Sequence, residues 1–167
     1  MNAKDAILEQ FHSGVLGGKT LAEVLAILQI PYKERRRLQS VLDSLVLEGK
    51  LFYSSSGKYG TAEQLGFIKG TLTGNERGFA FCTPENSERF VYDLFIPHRN
   101  LNGAMHKDEV LVEKTGEGDE AVVVQILKRG FSKIVGSFYK DRNAGYLYPD
   151  DKNYFDNIYI PDRKSVV

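Results

Sequence analysis

Three phenylalanines in neighbouring extended segments have the residue type and the spacing to bind nucleic-acid bases. Phe79 and Phe81 alternate with Ala80 and Cys82, and Phe95 follows in the next apolar segment. Because alternate side chains of a strand point to opposite faces, Phe79 and Phe81 share one face. Exposed aromatic rings on neighbouring strands stack on unpaired bases with little dependence on base identity. The pattern therefore predicts a base-stacking platform formed by Phe79, Phe81 and Phe95.

The same phenylalanines have a second interpretation, because Phe is more often a core residue than a surface residue. If Phe79 and Phe81 were buried, however, Cys82 would be exposed, and Ile68 and Leu72 would point outward on a matched neighbouring strand. The alternation thus favours outward rings. Basic side chains next to the platform are predicted to contact phosphates, which makes binding depend on salt. They are Lys69, Arg77 and Arg99.

The platform residues belong to a run of short alternating segments that are separated by turn residues. Strands are predicted at about 66–73, 78–82, 90–96, 109–114 and 121–127. Five short antiparallel strands with no helical period between them predict a small all-β barrel of the OB type.

The chain before this barrel follows a helical period. Three apolar stripes at helical spacing predict three helices before residue 50. Thr20 and Glu23 form a capping box at the start of the second helix, and the third is predicted from about Lys33 to Glu48. Two short aromatic segments around a Ser-Ser-Gly turn then predict a β-hairpin at 51–61. Three helices followed by a hairpin is the order of a winged helix-turn-helix.

One face of the predicted third helix is basic. Lys33 and Arg36 point away from the apolar stripe, Arg37 flanks it, and Lys58 lies in the hairpin. Arg and Lys on such a face contact phosphates and base edges in nucleic-acid-binding helices. A solvated helix face has the same composition, and a winged helix also docks proteins, so both interpretations stay open.

The segment from 134 to 161 repeats the opening of the predicted barrel. GFAF is matched by GYLY and DLFIP by NIYIP, so the aromatic positions stay aromatic. The tyrosines equivalent to the platform are predicted to stack on bases as well. They are Tyr146, Tyr148 and Tyr159. Only three strands of this second copy precede residues 162–167, and a barrel without two strands has open edges. We therefore expect the chain to be a piece of a longer protein, and its third segment to be poorly ordered or paired with another molecule.

Together these patterns predict an α+β chain of three modules. They are a winged helix-turn-helix at 1–62, a five-stranded OB barrel at 63–130 and a partial second OB barrel at 131–167. The 22 basic and 22 acidic side chains give no net charge, so any nucleic-acid site must be local. The predicted first barrel is itself acidic, with 8 basic and 11 acidic side chains.

Composition and spacing exclude several other classes. No apolar run approaches 18 residues, so neither a membrane-spanning helix nor a membrane partner is predicted. The single cysteine, Cys82, fits a reducing compartment, which predicts a cytoplasmic protein. His12, His98 and His106 lie in unrelated segments, so we expect no metal site, no small-molecule ligand and no cofactor in this chain.

The order of the motifs resembles a known family. GFAF followed by DLFIP resembles the paired RNA-binding motifs of cold-shock domains. The run IPHRNLNGAMHKDEVLVE, the helices before it, and ILKR with IVGSF after it resemble the N-terminal part of the ribonuclease R branch of the RNase II exoribonuclease family. The resemblance extends over about residues 4–161, and it implies that both OB barrels are cold-shock domains.

The resemblance implies a parent protein that degrades RNA processively from the 3′ end to nucleoside 5′-monophosphates. It also implies a Mg²⁺-dependent aspartate cluster in a separate catalytic domain that follows the second cold-shock repeat. In this chain Asp150, Asp151 and Asp156 lie near one another, but the repeat places Asp150 opposite Glu85, in an ordinary loop between strands. We therefore predict no catalytic residue in this chain.

Three departures from the family's motifs bear on the predicted RNA site. Ala80 replaces the usual second glycine of GFGF. The family's His and Phe after the second motif correspond here to Pro97 and His98, so His98 joins the predicted RNA-binding residues of a smaller platform. Lys107 stands where the family has a turn glycine, which predicts a turn that is strained or differently shaped.

Three functions follow as hypotheses. The first is the front end of a 3′-5′ exoribonuclease, which delivers single-stranded or structured RNA to a catalytic domain. The second is a non-enzymatic RNA-binding or RNA-chaperone protein. The third is a regulator that reads duplex DNA through Lys33, Arg36 and Arg37. The partial second barrel favours the first, because a complete binding protein is expected to have complete domains.

Overall fold

A computed structural model describes residues 2–86, 88 and 90–161, and the chain divides into two compact units, Met1–Phe67 and Ile68–Val167. The described helices of the first unit are α1 (Ala3–His12), α2 (Leu21–Ile27) and α3 (Arg35–Leu47), and a 3₁₀ turn (Tyr32–Glu34) precedes α3. Its strands β1 (Lys19–Thr20), β2 (Phe52–Tyr53) and β3 (Lys58–Gly60) form an antiparallel sheet in the order β1-β3-β2.

Local caps set the helix boundaries of the first unit. The Thr20 hydroxyl accepts a hydrogen bond from the Glu23 amide, and the Glu23 carboxylate accepts one from the Thr20 amide, which is the predicted capping box. These bonds lower the pKa of Glu23. Helix α3 ends before Gly49, whose φ of +72° is the left-handed conformation that glycine adopts easily. The predicted start at about Lys33 lies in the 3₁₀ turn, and α3 itself begins two residues later, at Arg35.

The second unit contains a curled antiparallel sheet. Its strands are β4 (Ile68–Gly74), β5 (Ala80–Pro84), β6 (Leu94–Ile96), β7 (Glu109–Lys114) and β8 (Ala121–Lys128), in the order β6-β5-β4-β7-β8. The two outer strands of this sheet meet, because the Phe95 amide donates to the Asp119 carbonyl at 2.8 Å. Helices in the first unit and this curled sheet in the second make the mixed fold, with a sheet consistent with the OB type.

Alternation along the strands separates the core from the surface. Residues 68, 70 and 72 of β4 are buried while residues 69, 71 and 73 are exposed, as predicted. Phe67, which the same alternation places outward, is instead buried, and its ring meets that of Phe52 within the first unit. Cys82 lies in the core of the curled sheet with no exposed surface, and this burial raises the pKa of its thiol to about 12.

A buried carboxylate ties the end of β8 to the turn before β7. Asp108 has no exposed surface. Its carboxylate accepts hydrogen bonds from the Met105 amide at 2.8 Å, the Gly130 amide at 3.0 Å and the Arg129 guanidinium at 2.7 Å. These three donors compensate for the loss of water around the buried charge. The neighbouring Lys107 has a φ of +70°, which agrees with the strain predicted for this turn.

The third predicted module forms a sheet of its own within the second unit. Strands β9 (Gly136–Asp141), β10 (Ala144–Pro149) and β11 (Ile158–Pro161) pair antiparallel in the order β11-β10-β9. The sheet is open among the described residues, and residues 162–167 of the predicted module lie outside them. A loop at 150–157, between β10 and β11, packs against the curled sheet.

Candidate nucleic-acid interface

The three platform phenylalanines lie together on the outer face of β5 and β6. Phe81 is the cross-strand partner of Phe95, and Phe79 precedes β5 by one residue. The ring centroids of each pair are 5.5 to 5.9 Å apart. Phe81 is 40% exposed, while Phe79 and Phe95 are half-buried. Their outward orientation is the predicted one, since the buried residues of these strands point the other way. Those are Ala80, Cys82, Leu94 and Ile96.

The phenylalanine rings meet at steep angles. The planes of Phe79 and Phe81 are 87° apart, and each makes an angle of 56° with the plane of Phe95. Edge-to-face and tilted contacts are favourable for aromatic rings, so the three side chains hold one another in position. In an edge-to-face pair, the ring that is contacted at its edge has its own faces outside that contact, and base stacking requires such a face.

Most of the positive charge predicted to meet phosphates is paired with carboxylates. Lys69 lies 3.4 Å from Glu85, and Arg99 lies 2.8 Å from Glu120. Such exposed pairs contribute little to stability, so a phosphate can replace either carboxylate at small cost. Arg77 is exposed and makes no ion pair with a described carboxylate. Among the predicted phosphate contacts of the platform, Arg77 is therefore the one without a described carboxylate partner.

Arg77 is held in the turn that joins β4 to β5. Its amide donates to the Asn75 side chain at 2.8 Å, and the Gly78 amide donates to the Asn75 carbonyl at 3.0 Å. Gly78 has a φ of +91°, a conformation that favours glycine. The turn thus positions the backbone that leads directly into Phe79, the first residue of the platform.

His98, predicted to bind RNA, is contacted by the loop between β10 and β11. Its Nε2 lies 3.3 Å from a carboxylate oxygen of Asp156, and its ring meets the ring of Phe155 edge to face at 5.4 Å. The imidazole is 56% exposed even so. His98 therefore lies at the junction between the curled sheet and the third segment.

A histidine that the sequence did not single out anchors the same loop. The Gly74 amide donates to Nδ1 of His106 at 3.0 Å, and the ring of Tyr154 lies 5.3 Å from the imidazole. Burial lowers the pKa of His106 and raises the pKa of Tyr154. The ring of Phe131 lies 5.9 Å from that of Tyr154, also edge to face, so this tyrosine contacts two rings.

Two glycines are needed where the loop meets the curled sheet. A Cβ atom at Gly74 would lie 2.1 Å from the carbonyl oxygen of Asn153, and one at Gly78 would lie 3.0 Å from the ring of Phe155. The first distance is far inside van der Waals contact. The loop is therefore fitted closely to the β4–β5 turn, beside the platform.

The third segment presents its tyrosines on one face. Tyr146 lies directly across from Tyr139 on one side and Tyr159 on the other. The ring of Tyr146 is 5.7 Å from that of Tyr159, and the ring of Tyr148 is 5.1 Å from that of Tyr139. All four side chains are exposed. The predicted Tyr146, Tyr148 and Tyr159 thus lie together, and the structure adds Tyr139 to them.

The basic residues of the first unit share their surface with other groups. Arg36 and Arg37 on α3, Lys33 in the 3₁₀ turn and Lys58 on β3 are all exposed. Asp43 lies further along the outer face of α3, where it accepts a hydrogen bond from the Tyr59 hydroxyl at 3.1 Å. Burial and this aspartate raise the pKa of Tyr59.

The residues missed from the sequence have long-range partners. Phe155 and Asp156 contact His98, and His106 contacts Gly74, across 32 to 58 positions of the chain. No local pattern marks such contacts. Tyr139 was missed for a different reason. The repeat aligns it with Thr73, which is not aromatic.

The described residues contain neither a metal-binding cluster nor a membrane-spanning helix. No group of three or more His, Cys, Asp or Glu side chains is arranged to hold a metal ion within them. None of the described helices has the length and the apolar character to cross a bilayer.

The comparisons with known proteins agree with this geometry. Residues 70–126, which hold most of the curled sheet and the whole platform, match the family described as Ribonuclease B OB domain. The ribonuclease R of Acidithiobacillus ferrooxidans is 30% identical over 152 residues, which cover 89% of this chain and 33% of that protein. The ribonuclease R of Escherichia coli (strain K12) is 29% identical over 131 residues, which cover 76% of this chain and 15% of that protein.

A solved structure of yeast Ssd1, described as a pseudonuclease, matches 74% of this chain and 19% of that chain, with 17% sequence identity and a TM-score of 0.47. The sequence matches place the curled sheet among the OB domains of RNase II-type ribonucleases. The chain as a whole is related to the N-terminal region of the ribonuclease R branch of that family, which confirms the resemblance found in the motifs. It spans a third or less of the length of these two curated relatives.

Proposed function

We propose that this chain is the RNA-binding front end of a 3′-5′ exoribonuclease of the ribonuclease R type, and that its platform holds unpaired bases. The observation that carries the proposal is the cluster of Phe79, Phe81 and Phe95 on the outer face of a sheet that matches the Ribonuclease B OB domain. Base stacking contributes about 1–3 kcal/mol per base and accepts every base, as a processive nuclease requires.

The finer assignments belong to the same proposal. We infer that the first unit is a winged helix-turn-helix, and that the curled sheet and the third segment are two cold-shock domains. Arg36 and Arg37 on α3, with Lys33 and Lys58, then engage structured RNA, since exposed Arg and Lys side chains bind phosphates. The exposed face of tyrosines on β9–β11 supplies a second stacking surface.

The proposal extends to the whole protein. Such a protein degrades RNA processively to nucleoside 5′-monophosphates in the cytoplasm, with Mg²⁺ held in a catalytic domain that lies outside this chain. The described residues of this chain hold no cluster of carboxylates fitted to that ion. The role proposed for the described residues of this chain is to hold RNA.

The non-enzymatic RNA chaperone and the DNA regulator are not favoured, because the sequence relatives reported above are ribonucleases R.

Removing two rings of the platform tests the proposal. Phe79→Ala with Phe81→Ala is expected to weaken binding of single-stranded RNA by roughly ten-fold or more, since each stacked base contributes at least about 1 kcal/mol. Fluorescence anisotropy of a labelled oligonucleotide measures the affinity. Phe138→Ala is the matched control, because Phe138 is 55% exposed on the other face of β9–β11. An affinity unchanged by the double substitution, in a protein that keeps its circular dichroism spectrum, would remove the platform from the RNA site.

A further inference from the structure

Phe155 is an aromatic side chain that the fold holds in place while leaving 49% of it exposed. It belongs to the loop between β10 and β11, in the third segment. Large apolar side chains with this exposure are common as single surface residues and need no explanation by themselves. Phe155 is different, because its neighbours on both sides in the sequence contact the curled sheet or the loops beside it.

The contacts of the loop leave Phe155 little freedom. On its N-terminal side, the ring of Tyr154 contacts the rings of His106 and Phe131. On its C-terminal side, Asp156 pairs with His98 at 3.3 Å. The ring of Phe155 itself meets His98 edge to face at 5.4 Å. A ring that is positioned before binding loses little conformational entropy when it stacks on a ligand.

The position of Phe155 continues the platform. The ring lies over Gly78, so close that a Cβ atom there would be 3.0 Å from it, and Gly78 directly precedes Phe79. Phe79 and Phe155 both line one cleft, together with Asn75, His106 and other side chains of the turn and the loop. From the Phe81 and Phe95 pair the aromatic surface thus runs through Phe79 to Phe155.

We propose that Phe155 is a further base-stacking residue, contributed by the third segment, and that it binds the nucleobase next to the one stacked on Phe79. The inference rests on the proposed function and extends it by one nucleotide. The ligand is a base of single-stranded RNA, because a ring face at the end of an aromatic row recognises a planar base and nothing about its sequence. Arg77, exposed in the adjacent turn, is available to the phosphate between the two nucleotides.

The chain contains no tryptophan, so the fluorescence of a single introduced tryptophan reports on its own position alone. Three single variants serve: Phe155→Trp for the proposed position, Phe81→Trp for the platform and Phe138→Trp as the control. Each is titrated with single-stranded oligouridylate while the indole emission is followed. Stacking on a base quenches indole emission, so we expect quenching in Phe155→Trp and Phe81→Trp and none in Phe138→Trp.

A second measurement does not depend on the reporter. Phe155→Leu keeps an apolar side chain over Gly78 but removes the ring, and it is expected to weaken oligouridylate binding about five-fold, the lower limit for the loss of one stack. Phe138→Leu, the same change at a similar exposure, is expected to leave the affinity unchanged.

The outcomes separate the two proposals. Quenching in Phe81→Trp without quenching in Phe155→Trp, together with full affinity in Phe155→Leu, would overturn the role of Phe155 and leave the platform intact. If neither reporter is quenched and the platform double substitution also has no effect, the proposed function itself fails. If Phe155→Leu loses affinity but Phe155→Trp is not quenched, Phe155 only supports the sheet and the inference is wrong.

Discussion

The surroundings of His106 favour its neutral imidazole. Its Nδ1 accepts the hydrogen bond from the Gly74 amide, so this nitrogen cannot carry a proton without breaking the bond. Burial lowers the pKa of His106 below its ordinary 6.5; nearby Lys107 lowers it further, while Asp151 opposes both. Since the unfolded chain then binds the proton more readily than the folded one, stability is complete above about pH 6.5 and is lost as the pH falls through the folded pKa.

The expected result is a melting temperature that declines when the pH is lowered from about 8 to about 5. His106→Gln is expected to flatten this decline, because a glutamine does not titrate. Thermal unfolding followed by circular dichroism at several pH values measures both proteins. His12→Gln, in the first unit, is the control and should keep the dependence of the original chain. An equally steep decline in His106→Gln would assign the pH sensitivity to other groups.

At the scale of elements, Asp108 joins pieces of structure that are far apart in the sequence. Its carboxylate binds the turn before β7 through Met105 and the end of β8 through Arg129 and Gly130. Arg129 and Gly130 lie directly before the third segment. Loss of the Asp108 side chain therefore affects both the closure of the curled sheet and the start of the segment that follows.

Asp108→Ala is expected to lower the free energy of unfolding by about 2–4 kcal/mol, because it leaves buried amide donors without acceptors. The lower part of that range is favoured, since Arg129 is half exposed and its charge returns to water. Urea unfolding, followed by the circular dichroism signal of the β-sheets in the second unit, measures the change. Glu117→Ala, an exposed carboxylate in the β7–β8 turn, should cost less than about 0.5 kcal/mol. A comparable loss in the two variants would show that the buried acceptor contributes nothing special.

Most elements were predictable because their signals are local. The alternation that places Leu72 inside and Phe81 outside depends only on the two-residue period of a strand. The capping box at Thr20 is equally local. By contrast, β1 is two residues long and exists only through its pairing with β3, so no period marks it. Asp108, His106 and Phe155 were missed from the site for the same reason, since each depends on partners brought close by the fold.

At the scale of the whole molecule, little unpaired positive charge accompanies the aromatic platform. The chain has no net charge, and two of the predicted phosphate contacts, Lys69 and Arg99, already face carboxylates. Binding by stacking is therefore expected to dominate over binding by charge. This differs from nucleic-acid-binding proteins with a basic excess, whose affinity comes largely from released counterions.

The affinity for an unstructured oligouridylate should depend weakly on salt. With one to three phosphates contacted, the slope of log K against log salt is expected between about −0.7 and −2. Arg77→Ala should reduce its magnitude by about 0.7, because Arg77 has no described carboxylate partner. Anisotropy titrations between about 50 and 300 mM salt give the slopes, with Arg142→Ala as a control outside the platform. A slope steeper than about −4 would show that charge carries the binding.

The one cysteine lies directly beneath the proposed platform, on the inner face of β5 between the outward Phe81 and Thr83. With no exposed surface and a thiol pKa of about 12, it cannot react with an alkylating reagent while the sheet is closed. The rate at which Cys82 is labelled therefore measures how often the curled sheet opens locally, and no engineered probe is needed. A base stacked on the platform should slow the labelling of Cys82. The reactivity of a residue on the inner face of the sheet then reports whether RNA occupies the outer face.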